Sequence, residues 1–297
     1  MKSVFRWGWI GLIVVLLVGC AHDNRLAKPP KPPSPVEAAH MPGDLTYQDV
    51  LQKGEVVHTL SMTPDGQQIW VGTHSGLYSS TGNGLWTLFS PELEQVDVAG
   101  WFVDPDQPER MYVAGVQGVK RTADGGNHWE DANNGLPDTL NIHSFTGIDE
   151  GETTRLFAFV TGEGIYQSTD GGMEWKLSLP LDQEVYAMDY HPGEGRLYVA
   201  TQYGLLYYEN GNWQMENIPG VEQIYSLAVN RQDGTIAVAT EQGVLQKIGS
   251  EWQPLGAQVA EILIKIAPGS GATRWIGIGE SAYVYLLHED DQWVRWD

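Results

Sequence analysis

The chain has 297 residues, 42% of them hydrophobic, and carries 38 acidic against 17 basic side chains for a net charge of −21 at neutral pH. That balance repels phosphate backbones and anionic headgroups, which argues against nucleic acid and leaves cationic ligands, metal ions and basic protein surfaces open as partners. A single cysteine excludes any intramolecular disulfide, so stability must come from an apolar core.

Residues 1–19 differ in character from the rest of the chain. Lys2 and Arg6 give a positive start, residues 7–18 are almost wholly apolar, and Leu17-Val18-Gly19-Cys20 closes the run. An apolar stretch this short reads as a secretory signal rather than a membrane span. The four closing residues resemble the lipobox of bacterial lipoproteins. That resemblance implies cleavage before Cys20, acylation of Cys20 and a lipid anchor in the cell envelope. Ala21 comes after the cysteine, which favours the outer membrane facing the periplasm, or the cell surface. Loss of Lys2 and Arg6 leaves the mature chain at −23. Residues 20–44 carry Pro29, Pro30, Pro32, Pro33, Pro35 and Pro42 and predict an extended tether of about 3.1 Å per residue.

From residue 45 to 297 one pattern recurs six times. An apolar strand is followed by a second strand ending in Gly, then by an apolar or aromatic pair, then by Trp. The tryptophans are Trp86, Trp129, Trp175, Trp213, Trp252 and Trp293, spaced by 43, 46, 38, 39 and 41 residues. First strands read as 56–64, 185–192 and 224–231; second strands alternate β-branched or aromatic residues, as in 67–78, 109–120 and 195–206. A period near 40 built from short strands predicts an all-β propeller of six four-stranded blades with a YVTN- or WD40-like repeat. Seven blades are the alternative if residues 44–55 form strands.

Two of the turns are more regular than the rest. Thr122-Ala123-Asp124-Gly125-Gly126-Asn127-His128-Trp129 and Ser168-Thr169-Asp170-Gly171-Gly172-Met173-Glu174-Trp175 both fit Ser/Thr-x-Asp-x-Gly-x-x-Trp. Asp accepts from the turn's own amides, Gly supplies a positive φ, and Trp folds back to close the loop. On these residues the chain resembles the BNR or Asp-box propellers, which include sialidases and sortilin-type domains. Over 57–78, 98–115 and 142–145 it is similar to a bacterial subgroup called F510_1955 family glycosylhydrolases. That resemblance implies histidine in the slots held by His58, His74 and His143. It departs where Gly115 is followed by Val116, a position at which the subgroup often carries a further His.

A sialidase would need an arginine cluster on the substrate carboxylate. Here Arg110, Arg155, Arg196 and Arg274 occupy one repeat slot in four blades and cannot converge. A two-carboxylate glycosidase needs only two acids about 5–10 Å apart, and 38 acids nominate no pair. The binding alternative has two candidate surfaces. Loops joining second to third strands vary between blades at His74, Gln117, Glu163, Tyr203, Glu241 and Glu280. Equivalent positions on the innermost strands carry His58, His143, Tyr186 and Tyr225, with Ala99 and Ile262 completing the ring. Neutral imidazoles at His58, His74 and His143 suit copper or zinc, although no cofactor is required. Trp101 and Tyr203 are the apolar anchors expected on the binding face. The sequence therefore predicts a tethered, non-catalytic binding or scaffold propeller for a protein, glycan or metal. A glycoside hydrolase and a periplasmic metal-binding protein are the alternatives.

Overall fold

The computed structural model describes residues 45–296. The expected signal, the lipidation site Cys20 and the tether up to residue 44 lie outside them. The described residues form a six-bladed β-propeller, each blade an antiparallel sheet built from one stretch of sequence. Its innermost strands are Val57–Met62, Gly100–Val103, Ile142–Asp149, Val185–His191, Ile224–Asn230 and Leu263–Pro268, and each packs beside the next around a central channel.

The blades form because their second strands are apolar on both faces. Ile69–Thr73, Met111–Gly115 and residues 197–201 of the fourth blade are buried throughout. Such a strand needs cover on both sides, and only sandwiching between neighbouring blades supplies it. Trp175 shows how a repeat tryptophan joins two blades. Its ring is buried among Phe145, Tyr112 and Ile142, and its Nε1–H donates to the Ala132 carbonyl at 2.7 Å.

Residues 45–54 do not start a seventh blade. Leu45–Thr46 adds a fifth, outer strand to the first sheet, and Tyr47–Gly54 is a helix. Thr46 caps it: its hydroxyl accepts from the Asp49 amide at 3.2 Å while Asp49 accepts from the Thr46 amide at 2.8 Å. Val50 of this helix enters a cluster with Val57 and Trp86 of the first blade and Ile276 and Ile278 of the last. The ring is thus closed by packing between the first and last blades.

Both Asp-boxes occur as hairpins between third and fourth strands. In the first, Asp124 Oδ1 accepts from the amides of Asn127 and His128 at 3.1 and 3.0 Å, and Trp129 Nε1–H donates to the Gly126 carbonyl. In the second, Asp170 Oδ1 accepts from the amides of Met173 and Glu174, each at 3.0 Å. Gly126 and Gly172 adopt φ of 90° and 82° in the two turns. Because strands alternate in direction, these hairpins lie at the opposite end of the channel from the second-to-third-strand loops.

Candidate functional site

Five innermost strands begin with the same irregularity. In the first blade Val57 pairs with Thr73 and Thr59 pairs with Gly72, so His58 is one residue too many for the ladder. The same skip leaves His143, Tyr186, Tyr225 and Ile264 unpaired in the third to sixth blades. The residue before each bulge is core: Val57, Ile142, Val185, Ile224 and Leu263 are at most 5% exposed. With that neighbour anchored in the blade, the extra residue is free to turn toward the channel. The ring predicted from sequence is therefore present, with one correction. Its sixth-blade member is Ile264, because the bulge falls two residues beyond the predicted Ile262.

His58, Ala99, His143, Tyr186, Tyr225 and Ile264 line a cavity of about 540 Å³ at one mouth of the channel. His74, Asp97, Val116, Glu184, Val185, Gln223 and Lys265 complete its wall. His74 arrives from the first-blade hairpin. Thr73 pins that turn by donating to the Gly76 carbonyl at 3.1 Å and accepting from the Ser75 amide at 3.1 Å. Thr201 and Thr240 close the fourth- and fifth-blade hairpins in the same way.

Asp97 is the residue that sequence reasoning misses. It precedes the second blade and is buried, and the Val116 amide donates to its Oδ2 at 3.1 Å. Its own amide donates to Gln117 Oε1 at 3.0 Å. A Cβ at Gly115 would lie 2.2 Å from the Asp97 carbonyl oxygen, so only glycine allows this close approach. Asp97 Oδ1 then sits 2.8 Å from His74 Nδ1 and 3.4 Å from His58 Nε2, and the two imidazole nitrogens are 3.1 Å apart. His143 does not join this trio. It pairs with Glu184, Nδ1 to Oε1 at 2.8 Å.

The electrostatics of the site favour a neutral His58. Desolvation pushes His58 down to about 4; Asp97 opposes the shift, while His74, Lys265 and His143 add to it. Burial alone brings Lys265 down to about 8. Lys265 has no carboxylate partner among the described residues, and the other blades carry Thr59, Gly100, Ser144, Ala187 and Ser226 at its level.

The remaining candidates fall elsewhere. Gln117, Glu163, Tyr203, Glu241 and Glu280 all sit on second-to-third-strand loops, but none lines the cavity. Gln117 is occupied with Asp97, and Glu241 accepts from the amides of Glu222 and Gln223, both at 2.9 Å. Tyr203 is 63% exposed. Trp101 is not a surface anchor: its ring packs 4.5 Å from Trp70 in the cluster between the first two blades. Arg110, Arg155, Arg196 and Arg274 each pair with acids of their own blade, so no arginine clamp forms among them.

Comparison with known proteins identifies the fold alone. No protein-family model and no curated protein matches the sequence. Among solved structures, the chain is similar to the GH74 xyloglucanase from Xanthomonas campestris, with a TM-score of 0.57, 14% identity and coverage of 82% of this chain and 46% of that one. It is also similar to an extracellular domain assigned to a one component system from B. thetaiotaomicron, with a TM-score of 0.54, 17% identity and coverage of 80% and 32%. A third is the Neurospora crassa Pan2 WD40 domain, with a TM-score of 0.53, 12% identity and coverage of 80% and 76%. The chain spans less than half the length of the first two. These neighbours are β-propellers that include enzymes and non-enzymes, and propellers share architecture without sharing chemistry.

Proposed function

We propose that the protein is a cell-envelope binding module of the BNR propeller type. It is held to a membrane through Cys20 and a proline-rich arm, and captures its ligand at the channel mouth without transforming it. The observation that carries this reading is the cavity itself. Its volume is within the few hundred Å³ expected of a ligand site, and it gathers imidazole, carboxylate, phenol and amine groups from all six blades. The two Asp-boxes support the BNR assignment, and the extracellular location of one structural neighbour accords with an envelope protein.

A second reading, a glycoside hydrolase, is favoured by one observation: Asp97 and Glu184 line the same cavity, and one neighbour is a GH74 xyloglucanase. A general acid, however, must present a protonated carboxyl to the leaving group. Asp97 is engaged by His74 and the Val116 amide, and Glu184 by His143, so both carboxyls already have partners within the cavity wall. The test is a thermal-shift screen of the full chain against glycans and peptides, repeated in Tyr186→Ala and Tyr225→Ala. Hits cancelled by both substitutions support capture at the mouth. Hits indifferent to them place binding elsewhere and defeat the proposal. Glycan cleavage that vanishes in Glu184→Gln would install the hydrolase instead.

A further inference from the structure

His58 Nε2, His74 Nδ1 and Asp97 Oδ1 form a triangle with sides of 3.1, 2.8 and 3.4 Å. His74 Nδ1 is within reach of both other atoms, and with at most one proton it can donate to only one of them. In the tautomers that carry the proton on the other ring nitrogen of each histidine, three lone-pair atoms converge on one point. Metal–ligand bonds of about 2.0–2.1 Å in a tetrahedron place neighbouring donor atoms about 3.3–3.4 Å apart. The observed edges are within about 0.6 Å of that spacing, so a small outward shift of His74 suffices.

We infer that His58, His74 and Asp97 are a mononuclear site for a borderline divalent ion, Zn²⁺ or Cu²⁺, whose remaining coordination positions open into the cavity. The donor set fits such an ion: two imidazoles select against Mg²⁺ and Ca²⁺, which prefer all-oxygen ligands. The supporting groups fit as well. The Val116 amide on Asp97 Oδ2 and the Gln117 side chain on the Asp97 backbone hold the carboxylate in place, as outer partners of metal ligands do. The bulge fixes His58 and the Thr73-pinned turn fixes His74, so all three ligands are set by backbone structure. His143 is outside the site because its Nδ1 is committed to Glu184.

This inference rests on the channel mouth being the ligand site, and it identifies one ligand of that site. The experiment uses the full chain, stripped with chelator and titrated with Zn²⁺ and Cu²⁺ by calorimetry, with Co²⁺ as a spectroscopic probe. Expected are one ion per chain and visible Co²⁺ bands of a low-coordinate N/O site. Both should weaken more than about 100-fold in His74→Gln and Asp97→Asn, beyond the 10–100-fold that loss of an outer partner costs. His143→Ala should bind as the parent does. His74→Gln is the informative variant because His74 is the most exposed of the three, and its metal-free melting temperature should match the parent's. No stoichiometric ion in the parent overturns the inference, as does binding that survives in His74→Gln and Asp97→Asn. An organic hit cancelled by Tyr225→Ala in metal-free protein, with no ion bound, sinks the metal site and leaves the binding reading intact. Ion binding by the trio together with glycan turnover does the reverse.

Discussion

Replacing Trp175 with alanine tests whether the repeat tryptophans hold neighbouring blades together. The Trp175 side chain is only 2% exposed and packs between the second and third blades. A buried tryptophan removes about 150–250 Å² from water. At ~25 cal/mol per Å² this is worth about 4–6 kcal/mol, an upper figure because unfolded chains also bury surface. Measured Trp→Ala losses in cores run about 3–5 kcal/mol, and that is the range expected here. For a domain of this size each kcal/mol lowers Tm by about 2–4 °C, so thermal unfolding should move down by about 6–20 °C. Trp175→Phe keeps most of the apolar contact but strands the Ala132 carbonyl, for a loss of about 1–3 kcal/mol. Trp129 is the graded comparison. It packs against the cluster between the first two blades, but its ring is only half-buried and its indole N–H bonds to Gly126 of its own turn, so Trp129→Ala should cost clearly less. Equal losses at Trp129 and Trp175, or a Trp175→Ala loss under about 1 kcal/mol, would refute the account of inter-blade packing.

Other substitutions and titrations probe the same geometry. Gly115→Ala drives a methyl group into Asp97, so ion binding should disappear while far-UV dichroism keeps its β signature. Trp101→Ala should lower the melting temperature and leave cavity binding unchanged, because the ring packs on Trp70. Lys265, lowered to about 8 from 10.5, should be acylated with a half-maximal rate near pH 8 in a mass-spectrometric labelling series. Asp124 is held below its ordinary value of 3.8, chiefly by the hydrogen bond from His128, and that contact raises His128 above 6.5. The Asp124 contribution is present above 3.8 and fades as pH falls, whereas that of His128 is complete below 6.5 and fades as pH rises through its folded value. The stability difference between the parent and His128→Asn, followed by melting temperature against pH, should therefore peak between about pH 4 and 6.5.

The propeller is legible in the sequence because its signals are local and repeated. Alternating strands, Gly-ended hairpins and a tryptophan every forty residues or so each point to the same blade, and six copies average out individual lapses. The blade number is open at the N-terminus because residues 44–55 carry no periodicity long enough to choose. The capping box of Thr46 and Asp49 is the clue that a helix starts there. Ile262 is displaced from the ring for a different reason. Counting back a fixed number from a strand end assumes strands of equal length, and the last inner strand is short: it begins at Leu263, so Ile262 precedes it and the bulge falls at Ile264.

Asp97 shows why a site is harder to read than a fold. It lies two residues before Ala99, and the matching positions in the next three blades are Asn141, Glu184 and Gln223. A polar residue two places before the ring position is thus a second repeated feature, and Asp97, Glu184 and Gln223 all line the cavity. Polar residues at strand starts ordinarily mean solvent, however, and nothing local separates Asp97 from Asn141. Burial distinguishes them, and burial depends on the next blade's hairpin closing over Asp97 through Gly115, Val116 and Gln117. Position 116, which holds valine where the resembling subgroup often has a histidine, presents a backbone amide where Asp97 needs a donor. A histidine there would keep that amide, so the trio is compatible with either residue at 116.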